Sequence, residues 1–369
     1  MLTKFEVTNF KNFDKKLTLD FTDTNAYEFN QECVIKGIVN KALIYGHNGT
    51  GKSNLGFAIF DLISHLTDKE SSALEYILHY SNASNSSKIV EFKYTFKFND
   101  HTVCYEYGKT DFESLVYEKV FINENEYISI DRRNNTVATI NAKGAETLKK
   151  DMGDSKISII SYIKKNSVLE ENLENSCFFK FIDFIHRMLF FRSLADNKYL
   201  GLQKGRTQFL SDIIEHDNVH DFESFLNDAG VKCNLKAITG DETLYFDFNG
   251  KLIPFEDIAS QGTQSLALFY YWYQTLRDSK NVSFVFIDEF DAFYHHSLSK
   301  LIVTKLKEIN AQVILTTHNT SIMTNDLLRP DCYFLMDERG MTSLKNLTPK
   351  ELREAHNIEK MYKAGSFSV

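Results

Sequence analysis

Proline is scarce in this chain, 3 residues in 369, which excludes long polyproline or structureless linkers between domains. Cysteine is scarce too. Cys33, Cys104, Cys177, Cys233 and Cys332 are odd in number, widely spaced and without a Cys-x-x-Cys pair, so the sequence offers neither a disulfide framework nor a zinc site. Met1 to Glu6 lacks a basic-then-apolar signal pattern. The longest apolar run, Leu266 to Tyr273, is far short of the ~20 residues of a membrane span, so the expectation is a cytoplasmic protein with no membrane partner. Positive charge is not in excess either. A net charge of -8 argues against nonspecific coating of nucleic acid, where Lys and Arg neutralising phosphate dominate affinity. A local basic groove stays open at Arg132-Arg133, Lys149-Lys150, Lys164-Lys165 or Lys204 to Arg206, with solvated surface the plainer reading. Apolar material is plentiful: 43% hydrophobic residues, with 31 Phe and 18 Tyr, supply a core for one large or two medium domains.

Gly46-His47-Asn48-Gly49-Thr50-Gly51-Lys52-Ser53 satisfies every fixed position of G-x-x-x-x-G-K-[ST]. It follows the apolar run Ala42 to Tyr45 and precedes a helix-compatible segment that Asn54 continues. Gly46, Gly49 and Gly51 are read as positions of positive φ and close backbone approach, so that successive N–H groups form an anion nest. Lys52 is expected to meet the β and γ phosphates of ATP. Ser53 is expected to give a hydroxyl to Mg²⁺, which prefers octahedral oxygen ligands. The bland alternative is a strand, turn and helix with no ligand.

Periodicity organises the rest. Leu2 to Phe10 alternates like a strand. From Ser53 to about Tyr80, Leu55, Ile59, Leu62 and Leu66 fall at helical spacing, with a polar break at Asp68 to Ser71, predicting one helix and then a shorter one. From Lys88 to about Ile140 the period is two, with Val90, Phe92, Tyr94 and Phe96 leading and turns at Phe98 to His101 and Arg132 to Asn135. That predicts an antiparallel meander. Between Ala145 and Gly230 the spacing turns helical, with Phe178, Phe179, Phe181, Ile182, Ile185, Met188 and Leu189 forming an apolar stripe. Alternation returns at Leu244, Phe246 and Phe248. The domain expectation is 1–144, 145–230 as a compact helical insertion, and 231–369.

Val282 to Ile287 is a near-continuous apolar run ending in Asp288 and Glu289, as expected of a buried parallel strand whose carboxyl end reaches a ligand crevice. Asp288 is expected to hold Mg²⁺ opposite Ser53, and Glu289 to orient and polarise the attacking water. Gln312 to Thr317 is a second such strand, placing His318 where a γ-phosphate sensor would sit. Ser260, Gly262 and Thr263 precede an apolar helix, Leu266 to Leu276, and read either as an N-cap or as a phosphate-facing helix start. His295 and His296 are neighbours that point apart, with no third ligand nearby, and do not read as a metal site.

The order phosphate loop, Ser-Gln-Gly-Thr, Asp-Glu strand and Thr-His strand resembles the ABC-type ATPases of the SMC, RecF and OLD-like class. Phe5 to Phe13, Asp288 to His296 and His356 to Gly365 resemble, more closely, the RloA and AbiL-type ATP-binding proteins of bacterial phage-defence operons. Those relatives carry Leu-His-Pro where this chain has Tyr294-His295-His296, so only His295 matches, and the Q-loop has no numbered counterpart. The resemblance implies an α/β ATPase head with a mixed central sheet, an antiparallel β lobe and a helical insertion. It also implies ATP and Mg²⁺ as cofactors, and Lys52, Glu289 and His318 as catalytic residues. Phe290-Asp291 would be the D-loop. The Ser260 segment would complete the ATP site of a second copy, making a homodimer or higher oligomer. OLD-type nucleases carry a Toprim domain after such a head. With about fifty residues after His318, the expectation is a separate effector, a nuclease or toxin such as a Toprim-type enzyme, which this subunit would regulate. A DNA-structure-binding repair ATPase and a nonhydrolytic ATP-dependent scaffold are the alternatives.

Overall fold

Two seven-stranded sheets divide the burial between them. In the computed structural model, which describes residues 1–67, 74–193, 198–201, 209–278, 282–292 and 296–367, the first is wholly antiparallel. Its order is Thr139–Ile140, Asn125–Asp131, Leu115–Ile122, His101–Lys109, Val90–Phe98, Leu2–Thr8, Leu17–Asp20. The expected meander is therefore present. Val90, Phe92, Tyr94 and Phe96 are buried on one face while Glu91 stands in solvent, as a period of two dictates. Its hairpins turn on left-handed residues, Asn99 (φ 55°) and the pair Asn123 and Glu124 (φ 48° and 68°).

The second sheet runs Lys198–Gly201, Met188–Ser193, Phe284–Ile287, Gln312–Thr317, Lys41–Gly46, Tyr333–Asp337, Gly340–Ser343. Its five inner strands are parallel and its two edges antiparallel, which makes the sheet mixed. Lys41–Gly46, Phe284–Ile287 and Gln312–Thr317 are buried at every residue, which is why they read as continuous apolar runs. Helix Lys52–Phe60 lies so close to this sheet that a Cβ at Gly56 would sit 2.8 Å from the Phe190 ring and 2.9 Å from the Phe286 ring. Gln312 ties the sheets together, accepting from Leu2 N–H and donating to the Leu2 and Val39 carbonyls.

The stretch Ala145 to Gly230 is helical at Ile159–Asn166, Leu173–His186, Phe209–Glu215 and Val219–Asp228. The helical reading fails at Met188 and Leu189. They begin the strand Met188–Ser193, which pairs in parallel with Phe284–Ile287. A short run of consecutive apolar residues carries no period that separates buried strand from buried helix. Phe179 also leaves the stripe, half-exposed on the outer face of its helix. A three-stranded sheet, Leu235–Ala237, Leu244–Phe248 and Lys251–Pro254, then leads into helix Gln261–Asp278. The polar break at Asp68 to Ser71 lies outside the described residues, as do His295 and Lys204 to Arg206. Among the described residues no helix is long and apolar enough to cross a membrane.

A polar thread crosses the aromatic interior of the antiparallel lobe. Asp61, just after helix Lys52–Phe60, accepts from Tyr80 OH (2.7 Å), Tyr107 OH (2.9 Å) and Lys109 Nζ (2.8 Å), all of them buried. Lys109 also donates to Ser64 Oγ. The neighbouring His65 ring meets Tyr105 OH, and Tyr105 donates to Glu118. Glu118 in turn accepts from Ser158 Oγ and Ile159 N–H at the start of helix Ile159–Asn166. Each buried polar group here has a partner, which is what makes burying them tolerable.

Candidate nucleotide site

The loop after strand Lys41–Gly46 closes on itself. Thr50 Oγ1 donates to the His47 carbonyl at 2.9 Å, and the buried Lys52 ammonium donates to the carbonyls of Gly46 (2.7 Å) and His47 (3.1 Å). Gly49 and Gly51 have φ of 84° and 104°, as expected, but Gly46 does not have positive φ. Its requirement is steric, since a Cβ there would sit 2.7 Å from Thr50 Oγ1 and 2.9 Å from the Met336 carbonyl. Gly51 is the N-cap of helix Lys52–Phe60 and has no side chain to cap it, which leaves the helix start for an anion. His47, Asn48 and Gly49 are exposed along the loop rim.

Opposite the loop stand the acids. Thr316 Oγ1 donates to Asp288 Oδ1 at 2.6 Å, and the Ser53 hydroxyl lies near enough to Asp288 to favour its charged form. The same Thr316 oxygen accepts the Glu289 N–H at 2.8 Å. Glu289 is exposed and has φ 43°, a left-handed conformation that a non-glycine residue adopts at a cost, found where a side chain must be re-aimed. Asp291 is buried and accepts from Thr317 Oγ1 at 2.9 and 3.0 Å, while Thr317 Oγ1 accepts the Asn319 N–H. His318 follows on the exposed carboxyl end of its strand, while burial pushes Asp291 above the usual carboxylate range, opposed by the Thr317 hydroxyl.

Electrostatics join these groups. Burial pushes the Lys52 pKa down, and Glu289, Asp288 and Asp291 pull it back up. Burial pushes Asp288 above the usual carboxylate range, opposed by the hydroxyls of Ser53 and Thr316 and by Lys52. A buried carboxylate with a serine hydroxyl beside it is an oxygen donor set that suits a small divalent cation, so the residues fit Mg²⁺. Lys52, Ser53, Asp288, Glu289 and His318 are thus brought to one end of the parallel strands.

Ser260, Gly262 and Thr263 open helix Gln261–Asp278 elsewhere. Among the described residues the hydrogen bonds of Ser260 and Thr263 stay within their own segment: Ser260 Oγ accepts from Thr263 N–H (3.2 Å) and lies 2.9 Å from Thr263 Oγ1. The N-cap reading is therefore realised within one chain. Of the basic pairs, Arg132 spends its guanidinium on the carbonyls of Ser155, Leu115 and Ile157, and Arg133 pairs with Asp131.

Three residues of the site escaped the sequence reading. Thr316 and Thr317 hold the acids, and the only signal was two consecutive threonines ending a buried strand. Asn12 braces the loop from the amino-terminal turn, donating to the Thr50 carbonyl (3.1 Å) and accepting from Asn54 Nδ2 (2.7 Å). Asn54, expected at the nucleotide, thus points to Asn12.

A family model described as "AAA domain, putative AbiEii toxin, Type IV TA system" matches residues 41–324. The match starts at the first residue of the loop strand and ends beyond His318. No curated protein matches the chain. Among solved structures the chain is similar to an SMC head bound to the C-winged helix domain of ScpA, with 16% identity, 94% of this chain and 98% of that chain covered, and a TM-score of 0.47. It is also similar to the SMC head domain from Thermotoga maritima, at 14%, 93%, 98% and 0.43. The corresponding values for the recombination mediator protein RecF with ATP in the RecFOR pathway are 16%, 93%, 99% and 0.41.

Proposed function

This chain belongs to the AAA domain family, and from that premise we propose that it is a Mg²⁺-dependent ATPase acting as the regulatory subunit of a phage-defence system. Lys52 exchanges the carbonyls of Gly46 and His47 for phosphate oxygens and neutralises the transferring group. Glu289, re-aimed by its left-handed backbone, orients the attacking water, and His318 senses the γ-phosphate. Ser53 and Asp288 would hold Mg²⁺, which would supply charge neutralisation to the phosphates when bound. Ser260, Gly262 and Thr263 of a second copy complete the site, so that ATP assembles a dimer and hydrolysis releases it. The family description, a putative AbiEii toxin of a type IV toxin–antitoxin system, supports a toxin–antitoxin setting, in which this subunit would restrain or release a separate effector, a nuclease or toxin.

The observation that carries the ATPase reading is the meeting of the phosphate loop and the acid strand: Asp288 is held by Thr316, and Asp288 and Glu289 act on the buried Lys52, with the Ser53 hydroxyl beside Asp288. Phosphate release measured with and without Mg²⁺ tests it, alongside light-scattering mass with and without ATP. Wild type should turn over only with Mg²⁺, and Lys52→Ala should lose ATP binding. Glu289→Gln should bind ATP, accumulate as a dimer and turn over roughly 100-fold more slowly. Phosphate release indifferent to Lys52→Ala would overturn the proposal. Stimulation by duplex DNA with a steep salt dependence would favour the repair reading instead.

A further inference from the structure

Cys33 and Cys332 lie 299 residues apart in sequence, yet the Cys332 thiol donates to the Cys33 carbonyl oxygen at 3.9 Å, as well as to Asp331 Oδ1 at 3.7 Å, and the two thiols are close enough to perturb each other's ionisation. Both are free and fully buried. Cys33 ends the single turn Gln31–Cys33, whose other two residues are exposed, so one turn of chain covers the pair. That turn is held by Lys307, which pairs with Glu32 (2.7 Å) and donates to Asn30 Oδ1 (2.6 Å). Cys332 precedes strand Tyr333–Asp337, which pairs with the loop strand Lys41–Gly46. Lys307, Glu32 and Lys41 act on the Cys33 thiol, and Asp331 and Arg329 on that of Cys332.

We propose that Cys33 and Cys332 form a reversible disulfide, a redox modification site that staples the Gln31–Cys33 turn to the sheet beside the phosphate-loop strand. The oxidant class is a small peroxide, admitted when the exposed turn opens locally. The Cys33 thiolate attacks one peroxide oxygen, the O–O bond breaks, and a sulfenic acid and water result. Cys332 then gives up its proton and its sulfur attacks the sulfenic sulfur, forming the S–S bond and expelling a second water. In sum the two thiols lose two electrons and two protons, hydrogen peroxide becomes two waters, and a dithiol reverses the change.

The roles follow from the surroundings. The Cys332 thiol and the nearby Lys307 and Lys41 lower the Cys33 pKa, whereas burial raises that of Cys332, making Cys33 the attacking thiol and Cys332 the resolving one. The remaining cysteines contrast with this. Burial pushes Cys104 and Cys233 up to about 11 and raises Cys177, and none of the three is perturbed by a second thiol among the described residues.

The test treats the full-length chain with hydrogen peroxide, alkylates the remaining thiols and maps tryptic peptides by mass spectrometry. The expected product is a Cys33–Cys332 linked peptide that dithiothreitol removes, with Cys104, Cys177 and Cys233 alkylated. Because the bridge spans so long a loop, the melting midpoint of oxidised wild type should rise by roughly 5 °C or more, and that of Cys332→Ala should not. Peptides showing Cys33 and Cys332 both alkylated after peroxide, or Cys33 driven to sulfinic acid without a link, would overturn the proposal. If Cys332→Ala does not fold, the wild-type peptide map decides alone. No nucleotide enters the experiment, so its outcome is independent of the ATPase reading.

Discussion

Thr316 and Asp288 are joined across neighbouring parallel strands by a hydrogen bond of 2.6 Å, and the same threonine oxygen takes the N–H of Glu289. One hydroxyl therefore fixes both acids of the site. Thr316→Val keeps the shape and removes the hydroxyl, leaving a buried carboxylate and an amide each short of a partner. Stability should fall by roughly 1–3 kcal/mol, read by urea unfolding, and half-maximal turnover should require more Mg²⁺.

Glu289 separates stability from chemistry. Its left-handed φ of 43° costs roughly 1 kcal/mol that glycine does not pay. Glu289→Gly should raise stability by roughly 0.5–1 kcal/mol while abolishing phosphate release, whereas Glu289→Gln should leave stability unchanged and slow release. A Glu289→Gly chain less stable than wild type would contradict the strained geometry.

The pH dependence follows from Asp288, whose pKa is raised from 3.8 chiefly by burial. Above 3.8 the unfolded chain has released this proton while the folded chain retains it, so this group's contribution to stability is complete below 3.8. It is lost as pH rises through the folded-state value. Asp288→Asn should flatten that part of the stability profile. Mg²⁺ needs the ionised acid, so Mg²⁺-dependent nucleotide binding should run the opposite way, weakening as the pH falls.

The buried Lys109–Asp61 pair should be costly to break on one side only. Lys109→Met removes the buried ion-pair partner of the Asp61 carboxylate and leaves it hydrogen-bonded by the hydroxyls of Tyr80 and Tyr107, and a loss of roughly 3–5 kcal/mol is expected. The double variant Asp61→Asn with Lys109→Met should recover most of it. Denaturant titration of the three chains measures the coupling.

Asn12→Ala removes the brace on the phosphate loop without touching Lys52 or Ser53. Nucleotide affinity should drop several-fold with the melting temperature little changed, as fluorescent-nucleotide titration and thermal unfolding would show.

The loop and the acid strand were readable because their chemistry forces a residue type at each position: glycine where φ is positive, lysine where phosphate charge gathers, acids where a buried strand ends. The antiparallel lobe was readable because one wet face and one dry face impose a period of two. Met188–Ser193 was not, because a strand buried on both faces alternates nothing. Gly46 was given the wrong reason, since the sequence does not reveal that Thr50 and the Met336 carbonyl crowd it. Asn12 and Thr316 act through partners far along the chain, and no local pattern announces a contact that only folding creates.

The hydrogen-bonded chain from Asp61 to Ile159 has a mechanical meaning. It begins where the phosphate-loop helix stops and ends where another helix starts, with aromatic rings and partnered polar atoms filling the space between. A tilt of the first helix should therefore be passed, at least in part, to the second, about a hundred residues downstream in sequence.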